Sequence, residues 1–101
     1  MQYVIIARDY QDEKALERRL SARKDHLNVN DALRKEGKAI CAAALLGDVG
    51  NMNGSVLIVD FPSDEELQQW LAKEPYILGK VWESVEILPC KVAPSFLHSN
   101  T

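Results

Sequence analysis

The sequence of 101 residues predicts an α+β fold: one antiparallel sheet with two helices on a single face. Three observations carry this. Strand-like and helix-like segments follow one another in the order strand, helix, strand, strand, helix, strand. The two middle strands are joined by a short Gly- and Asn-rich stretch, which suits a hairpin and not a crossover. Hydrophobic residues make up 47% of the chain, enough to build a packed single domain.

Each element has its own signal. "QYVIIARD", Gln2 to Asp9, is rich in β-branched and aromatic residues and predicts the first strand. "YQDEKALERRLSARKDHLNVNDALRKEG" predicts a long helix. Leu16, Leu20, Arg23, Leu27 and Leu33 recur at roughly three- to four-residue spacing and mark its expected apolar face. Gly37 closes that helix, after Arg34 and Lys35 in its last turn. "KAICAAALL" is short and apolar, a strand buried on at least one face. "GDVGNMNG", Gly47 to Gly54, supplies the hairpin loop, and "SVLIVDF" the third strand. "PSDEELQQWLAKE" opens a second helix with Ser63 as N-cap and Glu66 three residues later, a capping box. Leu67, Trp70 and Leu71 form its apolar stripe, which places Trp70 in the core, and Pro75 ends it. "SVEILPCKV" alternates as a last strand, with Val85, Ile87 and Pro89 on one side and Glu86 and Leu88 on the other. Pro89 lacks an N–H and so belongs on an edge. Residues 1–92 are expected to form one domain and residues 93–101 a tail, whose His98 is given no role. The order is that of the split βαβ, ferredoxin-like sandwich. Its second sheet face has no helix to cover it, and a second copy of the chain would cover it most simply.

Composition excludes several functions. The net charge is −3, and the cluster Arg18, Arg19, Arg23 and Lys24 is bounded by Glu17 and Asp25. It reads as a solvated helix face, so no nucleic-acid partner is expected. No apolar segment approaches the roughly 20 residues of a membrane helix, and Met1 leads into a strand with no secretory leader pattern. Cys41 and Cys90 lie far apart in apolar, strand-like contexts. They are expected to be reduced, buried thiols of a cytoplasmic protein. Two histidines and two separated cysteines offer no metal-ligand cluster, and no Gly-rich phosphate loop is present; neither a metal nor a cofactor is expected.

The informative stretch is "LAKEPYILGKVW", Leu71 to Trp82. Pro75 bars helical backbone at Glu74 and fixes the chain there. An idle carboxylate at a helix C-terminus is mildly unfavourable against the dipole. Glu74 is thus either a solvated helix-end charge or a carboxylate aimed at a pocket. His26, on the long helix, is either a satisfied packing residue or an acid–base group. Arg8, at the end of the first strand, is a strand-end surface charge or a bidentate clamp for an anion. Ser55 starts the third strand and has no adjacent base to make it a nucleophile. Tyr76 and Trp82 lie near the turn, as pocket wall or dimer contact.

Taken together these positions resemble the YCII-related (YciI-like) family over nearly the whole chain. The resemblance rests on "YVIIARD", "RLSARKDHL", the "EG" helix end and "NGSVLIVDFPSDEELQQWLAKEPYILGKVWESVEILPCK". Arg23-His26, Gly54-Ser55, Trp70 and Glu74-Pro75-Tyr76 occupy the places of the family's motifs. The resemblance implies a dimeric α/β-barrel of two ferredoxin-like subunits, each with a small-molecule pocket. It also implies a working pair of His26 and an acidic residue at 74, with related members acting as lyases or dehydrochlorinases on ring compounds. Arg8, Arg23, Ser55 and Tyr76 are then the candidate substrate contacts. Two positions depart from the family pattern: Glu74 replaces an aspartate, and Ala43-Ala44 replace Gly-Pro. Two hypotheses follow. The first is a homodimer in which His26 is a general acid/base oriented by Glu74, for elimination or isomerisation of a small anionic or cyclic substrate. The second is a non-catalytic ligand-binding or interaction module in which those departures mark lost chemistry.

Overall fold

The computed structural model describes residues 1–97; of the predicted tail, residues 98–101, His98 among them, lie outside the described residues. The strands are β1 (Gln2–Asp9), β2 (Ala39–Leu46), β3 (Met52–Asp60) and β4 (Trp82–Cys90). The helices are α1 (Ala15–Lys35), α2 (Asp64–Lys73) and a single turn α3 (Pro75–Leu78). The strands pair antiparallel in the order β2-β3-β1-β4, so the two edges are β2 and β4. This is the ferredoxin-like α+β sandwich, the subunit fold of the dimeric α/β-barrels. Pro89 sits on the β4 edge, where its missing N–H leaves no ladder bond unmade.

Period-two burial decides which sheet face the helices cover. Tyr3, Ile5, Ala7 and Asp9 of β1 and Ser55, Leu57 and Val59 of β3 are buried beneath them. They pack with Phe61, Leu67, Trp70 and Tyr76 into one core. Trp70 is in that core as its stripe predicts, stacked on Phe61 with ring centroids 5.7 Å apart. The alternating side chains Val4, Ile6, Val56 and Ile58 are only half-buried on the opposite face, which α1, α2 and α3 leave uncovered. A 3-10 turn at Pro94–Phe96 brings Phe96 to a cavity that Val4 and Ile58 also line. Gly54 is required where β1 and β3 close up: a Cβ there would lie 2.7 Å from the Ala7 carbonyl oxygen. Ser63 caps α2 as expected, with the Glu66 N–H donating to Ser63 Oγ at 3.2 Å, while the Glu66 carboxylate lies 3.7 Å from Lys38 Nζ and does not close the box. Ser63→Ala should therefore cost about 1 kcal/mol, read as a lower denaturation midpoint at unchanged slope.

Three sequence expectations need correction. The long helix begins at Ala15, not Tyr10, because Tyr10 is still tied to the sheet through the Val81 carbonyl at 3.0 Å. Its leucine face is not the buried face: Leu16, Leu20 and Leu27 are 41%, 55% and 44% exposed, while Ala15, Arg19 and His26 are buried. The polar side chains of that face meet partners: Asp9 and Ser55 accept from Arg19, and Glu74 hydrogen-bonds His26. Cys41 is also exposed rather than buried, since it lies on the edge strand β2, and Cys90 is half-buried; both are free.

Candidate functional site

Glu74 ends α2 and caps α3. The proline after it holds its backbone extended, at φ −63° and ψ 127°, and occupies the first position of the new turn. Its Oε1 accepts the Tyr76 N–H at 3.3 Å. That capping bond aims the carboxylate at α1, where Oε1 hydrogen-bonds His26 Nδ1. Glu74 has no exposed surface and His26 is 5% exposed. A lone carboxylate would be costly there, and the imidazole gives it a hydrogen-bond partner. Glu74 Oε2 has no hydrogen-bond partner among the described residues.

The imidazole is held on its flat sides as well. Tyr76 stacks on it at 3.8 Å between centroids and 12° between planes, and Trp82 meets it edge-on at 5.8 Å. Asn30, one turn further along α1, places Nδ2 3.1 Å from His26 Nε2. Burial pushes the Tyr76 phenol above its ordinary range, with Arg19 and Arg23 pulling it back. The phenol therefore stays neutral at physiological pH.

A second buried network adjoins the first. Arg19 donates to both Asp9 oxygens at 2.9 Å and to Ser55 Oγ at 3.0 Å, and Trp82 Nε1–H donates to the same hydroxyl at 3.1 Å. Burial raises the Asp9 carboxyl, and the Arg19 hydrogen bonds and charge work against it. Arg19 was expected on a solvated face; it is 2% exposed, and its guanidinium lies 4.8 Å from the Tyr76 ring centroid.

Arg19, His26, Asn30, Ser55 and Tyr76 border a cleft of about 180 Å³ between α1 and the β2–β3 side of the sheet. Of the sequence candidates, His26, Arg23, Ser55 and Tyr76 line it, and Glu74 stands directly behind His26. Ala43 and Ala44 form part of its β2 wall. Arg8 does not join them. It is exposed on the opposite sheet face and borders a separate cleft with Tyr10, Asp12 and Asn53. Asp9, Arg19 and Asn30 were missed; Trp82, expected as pocket wall or dimer contact, is buried edge-on to His26. Asp9 continues the buried odd-numbered positions of β1, and Arg19 lies seven residues before His26, two turns along the same face. Both periodicities are visible in the sequence. Among the described residues no group of three or more His, Cys, Asp or Glu could hold a metal ion, and no helix is long and apolar enough to cross a membrane.

Fold and site together define a ferredoxin-like domain with a buried histidine–carboxylate pair at the wall of a small cleft. The chain matches the YCII-related domain over residues 1–91 and belongs to that family. It is 36% identical over 97 residues to Protein YciI of Escherichia coli O6:H1, covering 90% of this chain and 97% of that one. An uncharacterized protein of Haemophilus influenzae is 30% identical over the same coverage. Among solved structures, the chain superposes with a TM-score of 0.79 on the 5-chloro-2-hydroxyhydroquinone dehydrochlorinase of Burkholderia phenoliruptrix, solved with 2,5-dihydroxybenzoquinone. That match covers 94% of this chain and 98% of the other at 21% identity, and shows a shared fold.

Proposed function

We propose that this chain is a homodimeric enzyme that moves a proton in the elimination or isomerisation of a small cyclic or anionic compound. His26 is the general acid/base and Glu74 its orienting partner. The observation that carries this reading is the His26 Nδ1 to Glu74 Oε1 hydrogen bond at the wall of a cleft. The carboxylate fixes the ring tautomer and supports the imidazolium, leaving Nε2 to take a proton. In an elimination, Nε2 removes a proton from carbon, the C–H pair becomes a C=C bond, and the leaving group departs with its own electron pair. Arg23 at the rim attracts an anion, and Ser55 and Tyr76 bound the ring. A dehydrochlorinase with the same fold acts on a ring compound; fold alone transfers no activity, so the reading rests on the pair.

The dimer is supported by the half-buried apolar side chains Val4, Ile6, Val56 and Ile58 on the sheet face opposite α1 and α2. Light scattering at micromolar concentration should give twice the chain mass of 11.4 kDa; a monomer there would reject it. A cytoplasmic setting accords with two free thiols, one of them exposed. A second reading, a ligand-binding module without catalysis, draws on Asn30, which already occupies Nε2. A thermal-shift screen of hydroxyquinones and small cyclic acids tests both. A true ligand at ~100 times its dissociation constant stabilises the protein by about 2.7 kcal/mol. Turnover of that ligand, lost in His26→Gln, supports the enzyme; binding without turnover supports the module. Equal shifts in wild type and His26→Gln would place the ligand elsewhere.

A further inference from the structure

Both nitrogens of His26 are engaged: Glu74 Oε1 meets Nδ1, and Asn30 Nδ2 lies 3.1 Å from Nε2. Asn30 lines the same cleft, and its Oδ1 is buried with no hydrogen-bond partner among the described residues. Leaving a buried amide oxygen unpaired is costly, so a purely structural wall residue here would serve better apolar. An amide has one property that fits the position. Its terminal torsion is two-fold, and a half-turn exchanges a donor for an acceptor in almost the same space.

We infer that Asn30 is a positioning residue whose amide follows the proton on His26, donating to Nε2 of the neutral ring and turning to accept from Nε2–H of the charged ring. The inference rests on the proposed acid–base role of His26. The charged and titratable groups around the ring are few. Glu74 comes from the α2–α3 junction, Tyr76 from α3, and Arg19 and Arg23 from α1. β1 contributes Asp9, which is held by Arg19, and β4 contributes only the edge of Trp82. The β2 and β3 walls are Ala42, Ala43, Ala44, Ser55 and Leu57, none of them charged. Arginines cannot accept a proton from Nε2–H, and Ser55 Oγ already receives two N–H donors. Among the described residues Asn30 alone hydrogen-bonds Nε2. A ring that cycles between two protonation states thus keeps a partner on Nε2 in each. A substrate reaching Nε2 must displace the amide, and the freed Nδ2 and Oδ1 then face its polar groups.

The test is nitrogen-edited NMR on the full chain, following the His26 ring and the Asn30 side-chain amide between about pH 5 and 8. The amide resonances should move with the same midpoint as the ring. Asn30→Asp offers only an acceptor and should leave both ring nitrogens protonated at the alkaline end. Asn30→Leu should shift the Nε2 resonance and leave Nδ1 in place. Amide resonances that stay fixed while the ring titrates would overturn the inference. So would a ring that keeps one protonation state throughout, or an Nε2 shift unchanged in Asn30→Leu. The wild-type titration decides the question even if neither variant folds. No substrate enters the experiment, so absence of turnover, which would remove the enzyme reading, is read separately.

Discussion

Replacing Arg19 with methionine is expected to destabilise the protein by about 3–5 kcal/mol at neutral pH. Methionine keeps the unbranched apolar stem and removes the guanidinium, so the cost comes mainly from the carboxylate left behind. Asp9 is 5% exposed, and both its oxygens are held by one guanidinium nitrogen at 2.9 Å. Burial already raises the Asp9 carboxyl from its ordinary value of 3.8, and Arg19 provides the opposing hydrogen bond and charge. A carboxyl raised in the folded state binds its proton more tightly folded than unfolded. Its contribution to stability therefore falls as pH climbs above the unfolded value. Without Arg19 the carboxyl is raised further, so the deficit of the variant should be greatest at neutral pH and shrink on acidification toward pH 4. Urea denaturation at the two pH values measures this. Adding Asp9→Asn should recover much of the loss, because the orphaned charge is gone. A double variant as unstable as the single one would assign the cost to packing around Tyr76 and Trp82 instead.

The same arginine shows where the sequence could be read and where it could not. β1, β3 and α2 were legible because one kind of side chain lines each buried face: period two in β1 and β3, a leucine and tryptophan stripe in α2; β2, expected to be buried on at least one face, is instead exposed at residues 41–44. Helix α1 breaks that rule. At about 100° per residue, Ala15, Arg19, Ala22, His26 and Leu33 share one face, and Leu16, Leu20 and Leu27 lie roughly a third of a turn away. Hydrophobicity picks the leucines. The helix buries the other face because Asp9 and Ser55 hydrogen-bond Arg19 and because Glu74 and Tyr76 hold the His26 ring, partners that come from distant segments of the chain. The exposed leucines and the half-buried Asn30 wall thus follow from tertiary pairing, which a linear pattern does not contain. Glu74 was legible for the opposite reason: its constraint is local, set by the proline beside it. Arg8 lies away from the cleft because the period of β1, itself legible, puts this even-numbered position on the sheet face opposite His26.

Shortening the carboxylate by one methylene is expected to cost about a hundredfold in turnover, and removing the imidazole about a hundred- to ten-thousandfold. Glu74 Oε1 serves two partners at once, the Tyr76 N–H of the α3 cap and Nδ1 of His26. The capping bond is fixed by the backbone that Pro75 imposes. In Glu74→Asp the carboxylate can therefore keep the cap or reach the ring, but not both. Glu74→Gln keeps the reach and removes the charge, so the ring retains a hydrogen bond and loses the support for its imidazolium. The expected order of activity is wild type, then Glu74→Gln and Glu74→Asp, then His26→Gln, measured as kcat on whichever ligand the screen delivers. A signature independent of any substrate accompanies it. A charge-assisted N–H to a buried carboxylate gives a low-field proton resonance, which should be present for His26 Nδ1–H in wild type, move upfield in Glu74→Gln and vanish in His26→Gln. If that proton keeps its position in Glu74→Gln, the carboxylate is not what holds the ring. Glu74 would then be the cap of a single helical turn, and the acid–base reading would lose the contact on which it stands.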